Sequence, residues 1–144
     1  LGAIKGGGAT NIVADTVEVT AEARSLSNEK LAAQSAHLKE CFSLAAADYG
    51  ATAEVEISRS YSAFSLAEDN SFVLQCCNAI AGLGLTPKLT ATGGGSDCNI
   101  FNANGITALD LAIGMANPHT KQEYICIADL EMATRVILAI IKNV

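Results

Sequence analysis

The residues best suited to chemistry are Thr92-Gly93-Gly94-Gly95-Ser96-Asp97-Cys98-Asn99-Ile100-Phe101, followed at short range by His119-Thr120-Lys121-Gln122-Glu123-Tyr124. Three glycines before a Ser-Asp pair clear a bend of side chains, so backbone N–H groups can approach a ligand closely. His119 adds an imidazole that can bind a metal or handle a proton, after an apolar segment and a Pro-containing turn. Together they read as a substrate loop and a ligand histidine of one site. On its spacing alone His119 also fits an ordinary turn histidine. A phosphate cradle at Gly93 to Ser96 is disfavoured: it needs a helix N-terminus and usually a lysine, and Asp97 would repel an anion. Gly6-Gly7-Gly8 has neither a strand-to-helix setting nor a closing lysine. Cys76-Cys77 fails as a redox pair, because adjacent cysteines bridge only with strain.

A chain of 144 residues, half apolar and 17% charged, can build one medium domain or two small ones. Its net charge of −6 supplies no basic surplus for a nucleic-acid backbone. No apolar run reaches the roughly 18 residues of a membrane span. The opening Leu1-Gly2-Ala3-Ile4-Lys5 has no signal pattern and is expected to be an internal start. Five cysteines, an odd number without zinc-ribbon spacing, read as reduced thiols of a cytoplasmic protein.

The elements that must carry these residues differ along the chain. From Asp15 to Arg24, Val17, Val19, Ala21 and Ala23 alternate with polar residues, which predicts a strand with one wet face. Gly2 to Thr10 reads as the end of a neighbouring strand and its bend. Ser25 to Asn28 offers a capping cluster for a helix carrying Leu31, Leu38, Phe42, Ala45 and Tyr49, which Gly50 stops. Ala53, Val55 and Ile57 predict a second half-wet strand. Asp69 or Asn70 caps a helix with Phe72, Val73, Cys76, Ile80 and Leu83, closing at Gly84. Pro87 to Thr92 predicts a short strand, and Ile106 to Ile113 a strand buried on both faces. A last helix from about Ala128 presents Leu130, Ala133, Ile137, Ile140 and Ile141, with Lys142 near its negative end. The change of character at 62–68 marks a boundary.

Several of these runs share a resemblance. Gly6-Gly7-Gly8-Ala9-Thr10-Asn11-Ile12-Val13-Ala14-Asp15, then Glu22-Ala23-Arg24-Ser25, resembles the lid (dimerisation) domain of the two-metal peptidases. That family groups tripeptidase T, carnosinase-like dipeptidases, glutamate-releasing carboxypeptidases, aminoacylases and succinyl-diaminopimelate desuccinylase. Gly93-Gly94-Gly95-Ser96-Asp97, Asn99-Ile100-Phe101 and His119-Thr120-x-x-Glu123-Tyr124-Ile125 are similar to the closing segments of its catalytic domain. The likeness spans nearly the whole chain, in the family's order, and is nearest the tripeptidase-T-like branch. Ala14 departs from the family's usual Pro, and Cys98 from a common Ala; neither position carries chemistry.

The resemblance implies an α/β protein: part of an α+β lid over 1–64, a two-layer sheet with a helix on one face, then the C-terminal part of a mixed αβα catalytic domain over 65–144. It implies that His119 is the last ligand of a two-zinc centre, cobalt or manganese being alternatives. Asn11 and Arg24, thirteen residues apart, match the lid pair that holds a substrate carboxylate, and Gly94, Gly95 and Ser96 match the pocket wall. Glu123 would fix the His119 tautomer if the turn continues helically. The general base, the other metal ligands and the lid's transition-state histidine are expected upstream of Leu1, so no catalytic residue is assigned in this chain. The implied activity is zinc-dependent hydrolysis of di- and tripeptides by a cytoplasmic parent enzyme that forms a homodimer through its lid. Nucleic acid and membrane are not expected partners. By itself the chain is expected to be inactive. The alternative is a non-catalytic dimerising module that binds a peptide or amino acid at an incomplete, metal-free site.

Overall fold

In the computed structural model, which describes residues 1–142, β1 (Ala3–Gly6) and β2 (Val17–Thr20) form an antiparallel ribbon. Ala3 lies opposite Thr20 and Gly6 opposite Val17. Four helices follow: α1 (Asn28–Asp48), α2 (Ser71–Gly82), α3 (Asp97–Ala103) and α4 (Ile127–Lys142). The architecture is α+β. It divides into two units, one spanning Leu1–Ala63 and the other starting at Phe64. None of the described helices is long and apolar enough to cross a membrane.

Helix boundaries follow from local backbone needs. The Ser27 hydroxyl accepts from the Lys30 N–H to open α1, and the Asn70 carboxamide oxygen accepts from Phe72 and Val73 to open α2. α1, α2 and α3 all end in the same paired bonds with a left-handed glycine just past the cap: Gly50, Gly84 and Gly105. The Ala51 N–H reaches Ala46 O, that of Leu85 reaches Ile80 O and that of Ile106 reaches Phe101 O. α1 is tied further by Asn28, whose side-chain oxygen accepts from Arg59 Nη2 and the Ala63 N–H.

In the second unit α2 packs on α4 through Cys76, Ala79, Val136 and Ile140, with Leu109 and Leu111 half-buried against them. Three expectations fail at this level. The segments 53–58, 87–92 and 106–113 carry no strand ladder among the described residues. Apolar patterning can propose a strand, but a ladder also needs a neighbouring main chain, and none of the described residues supplies one. Ile106 and Ile113 are accordingly exposed. β2 is shorter than expected, and Val17 and Val19 are exposed rather than facing a core. On α4 the buried stripe is Val136 and Ile140, while Leu130, Ile137 and Ile141 face outward, so the apolar face is turned from the one expected.

That register makes a direct prediction for the 144-residue chain. Ile140, 9% exposed, should cost about 2–4 kcal/mol when cut to Ala, whereas Ile141, 62% exposed, should cost no more than about 0.5 kcal/mol. Denaturant midpoints of the two variants check it; equal losses would place the stripe elsewhere.

Candidate active-site segments

Gly93 to Ser96 does run into a helix N-terminus, one that apolar periodicity does not reveal. Ser96 caps α3: its hydroxyl accepts from the Cys98 N–H, while the Asn99 side-chain oxygen accepts from the Ser96 N–H at 2.9 Å. This reciprocal box uses Asn where Glu or Gln is usual, which hid the helix in the sequence. α3 is then stitched to the following segment. Asn102 Nδ2 donates to Cys98 O and to Ala108 O, at 2.8 and 2.7 Å.

Asp110 completes the arrangement. Its carboxylate accepts from the Ser96 hydroxyl at 2.8 Å and from the Cys98 thiol at 3.5 Å. One acidic side chain thus fixes the exit of the glycine loop, with Ser96 Oγ donating to Asp110 while accepting from Cys98. Asp110 escaped the sequence reading, although a lone charge inside Ile106 to Ile113 was a usable signal. Burial pushes the Cys98 thiol up from its usual range; Asp110 and Asp97 add to this and the Ser96 bond opposes it.

His119 sits in a different kind of loop. Ala116 and Tyr124 form an antiparallel bridge that closes residues 116–124. Inside it the Thr120 hydroxyl donates to Asn117 O, the Gln122 N–H donates to that hydroxyl, and the Glu123 N–H donates to Thr120 O. Asn117 and His119 both have left-handed backbone, φ 52° and 63°, a conformation that persists only where surroundings enforce it. Glu123 is one enforcer: its carboxylate accepts from the His119 backbone N–H at 2.6 Å. The expectation that Glu123 orients the imidazole through a helical turn is therefore corrected. The chain bends back at the bridge instead, and the carboxylate holds main chain. The ring itself is exposed and has no hydrogen-bond partner among the described residues. Gly114, at φ +83°, precedes this loop against α4, where a Cβ would come within 2.7 Å of Asp129 Cβ.

In the first unit, Asn11 lies in the connection between β1 and β2, and Arg24 four residues beyond β2. No hydrogen bond joins them among the described residues. The register leaves them off opposite ends of the ribbon. Arg24 Nε instead donates to Glu22 Oε1 in an exposed ion pair. That bond, with the attraction of the guanidinium, holds the Glu22 carboxyl below its ordinary value, and slight desolvation opposes it. The same partner raises Arg24. The Glu22 bond occupies Nε alone, which leaves the terminal N–H donors of the guanidinium to meet a ligand carboxylate.

One imidazole is one donor, whereas zinc sites use about four. Among the described residues no group of three or more His, Cys, Asp or Glu converges to hold a metal ion.

The fold is that of a peptidase-family segment, and the chain belongs to peptidase family M20/M25/M40, whose model matches residues 3–143. It is similar to the uncharacterised protein YqjE of Bacillus subtilis (strain 168), with 41% identity over 143 residues, 99% of this chain and 38% of the relative. Among solved structures it is similar to a tripeptidase from Staphylococcus aureus subsp. aureus Mu50, with TM-score 0.91 and 37% identity over 98% of this chain. It is likewise similar to aminopeptidase PepT from Bacillus cereus ATCC 10987, with TM-score 0.85 and 40% identity over 99% of this chain. The chain spans 38% of the length of each of these proteins.

Two outcomes test this geometry. Arg24→Ala should raise the Glu22 titration midpoint toward its ordinary 4.5, followed by carboxyl NMR; an unmoved midpoint would show that the pair does not persist in solution. Brief alkylation at neutral pH should label exposed Cys41 and Cys126 before Cys76 and Cys98, whose thiols burial holds up. Peptide mapping that finds Cys98 among the first labelled would contradict its engagement with Asp110.

Proposed function

We propose that this chain is the segment of a peptidase of short peptides that supplies one metal donor and the hold on substrate. The observation that carries this reading is the His119 loop. Its backbone is held left-handed by Glu123, Thr120 and the Ala116–Tyr124 bridge, and it presents an imidazole that has no hydrogen-bond partner among the described residues. Both ring nitrogens are thus open to a ligand, and the partner that orients a ligating histidine would come from outside the described residues. Similarity to a tripeptidase and an aminopeptidase supports short peptides as substrates, and the resemblance of the runs around Asn11, Arg24 and His119 to the family's motifs points the same way.

In this reading residues 1–64 serve as a lid and 65–144 as part of the catalytic domain. Arg24 takes the substrate's terminal carboxylate through paired N–H donors, and Asn11 adds an amide donor to the same group. Gly94 and Gly95 leave the pocket wall without side chains, and Ser96, pinned by Asp110, fixes where that wall ends. These contacts orient the scissile bond. Zinc in such an enzyme lowers the pKa of bound water; His119 is one donor to it, and residues elsewhere in the longer protein complete the centre. The two-stranded ribbon leaves one edge of each strand unpaired, which supports lid-to-lid pairing in a homodimer.

In the full-length protein, His119→Ala should lose at least about a hundredfold in kcat for tripeptide hydrolysis and release roughly one metal equivalent. Arg24→Ala should act mainly on KM for peptides with a free C-terminus. Full activity of the His119 variant with its metal content intact would sink the reading, as would peptide binding by the unaltered protein without hydrolysis.

A further inference from the structure

We infer that Glu22 is a positioning residue for substrate, holding the Arg24 guanidinium by its Nε–H so that the two terminal nitrogens are the edge offered to a peptide carboxylate. The inference rests on the reading of Arg24 as the group that takes the substrate's C-terminus, and it adds the residue that sets how Arg24 does so.

A guanidinium can meet a carboxylate along a side edge, made by Nε and one terminal nitrogen, or along an end edge, made by both terminal nitrogens. Arg24 Nε donates to Glu22 Oε1. That single bond removes the side edge from use, since one of its two donors is already engaged. Neither terminal nitrogen of Arg24 has a hydrogen-bond partner among the described residues. The other two arginines are placed differently. Arg59 Nη2 donates to Asn28 Oδ1, and Arg135 Nη2 donates to Glu131 Oε1. Among the described residues, Arg24 is thus the arginine whose end edge is open.

Glu22 and Arg24 both lie in the connection from β2 to α1, so the brace travels with the residue it holds. Their side chains are 64% and 53% exposed, which leaves the end edge accessible to a dissolved peptide. The Glu22 carboxyl is held below its ordinary value, first by the bond from Arg24, so it remains an ionised acceptor at neutral pH.

Glu22 acts on an incoming carboxylate in two opposed ways. As an acceptor it keeps the guanidinium in one attitude, which lowers the ordering cost of binding. As a negative charge it repels the ligand and offsets the charge of Arg24. Exposed charges interact weakly through water, whereas a two-bond contact depends on geometry. The positional effect is therefore the larger, and the sign of the change in KM decides between the two.

Steady-state kinetics of the full-length protein test this, with one tripeptide supplied as the free acid and as its C-terminal amide. Glu22→Ala should raise KM for the free acid about three- to fivefold, with a smaller rise for the amide, and the change should fall on KM rather than kcat. Glu22→Gln keeps an oxygen that accepts from Nε–H and should bring KM back to within about twofold of the unaltered protein. Matching far-ultraviolet circular dichroism should accompany both exposed substitutions. A KM for Glu22→Ala that falls or does not move would overturn the proposal, as would a Gln variant as impaired as the Ala variant. Arg24→Ala, measured beside them, separates the two levels of failure. If it raises KM for the free acid while Glu22→Ala does not, the Glu22 assignment alone falls; if it leaves KM unmoved, the carboxylate grip falls and this proposal with it.

Discussion

Satisfying the free backbone groups at helix ends is the constraint on which the rest of this chain depends. Three helices open on a side-chain acceptor, at Ser27, Asn70 and Ser96, and the same three close on a left-handed glycine. Each of these devices contributes on the order of 1 kcal/mol, which is modest singly. Their effect on position is larger. Ser96 is at once the last residue of the glycine loop, the cap of α3 and the donor to Asp110. The loop thus ends at one place because a helix must begin there, and the candidate pocket wall inherits its position from a capping requirement.

Apolar burial plays a smaller part than composition suggests. Half the sequence is apolar, yet among the described residues the buried apolar side chains are Val73, Cys76, Ala79, Val136 and Ile140. α1 buries none. The second unit is held by α2 against α4, supplemented by Leu109 and Leu111. Hydrogen bonds donated by Asn102 and accepted by Asp110 then lock the short α3 onto the segment after it, doing for a seven-residue helix what packing does for longer ones.

This balance explains what could be read from residues alone. The Ser25 to Asn28 cluster and the Asp69-Asn70 pair contain the observed caps Ser27 and Asn70, and Gly50 and Gly84 mark the helix ends, because capping is chemistry between residues close in sequence. Residues 53–58, 87–92 and 106–113 looked like strands and carry no ladder, because pairing depends on main chain far away in sequence. The outward turn of Ile137 and Ile141 has the same origin: a helix apolar on more than one side does not declare which side its partner takes. Within the candidate site, His119, Asn11 and Arg24 are singled out by the resemblance of their surrounding runs to family motifs. The Glu123 bond to the His119 backbone and the Asp110 bond to Ser96 were not, since each depends on how a loop closes. Asp110 was the recoverable omission, a single carboxylate in an apolar run.

The central claim is that His119 is a metal ligand. The most direct measurement is a crystal structure of the full-length protein grown with zinc, with anomalous differences collected at the zinc edge. The account predicts a zinc peak about 2.0–2.1 Å from a ring nitrogen of His119, with Glu123 still on the His119 backbone. Zinc bound elsewhere in the protein, with the His119 ring still free, would contradict it.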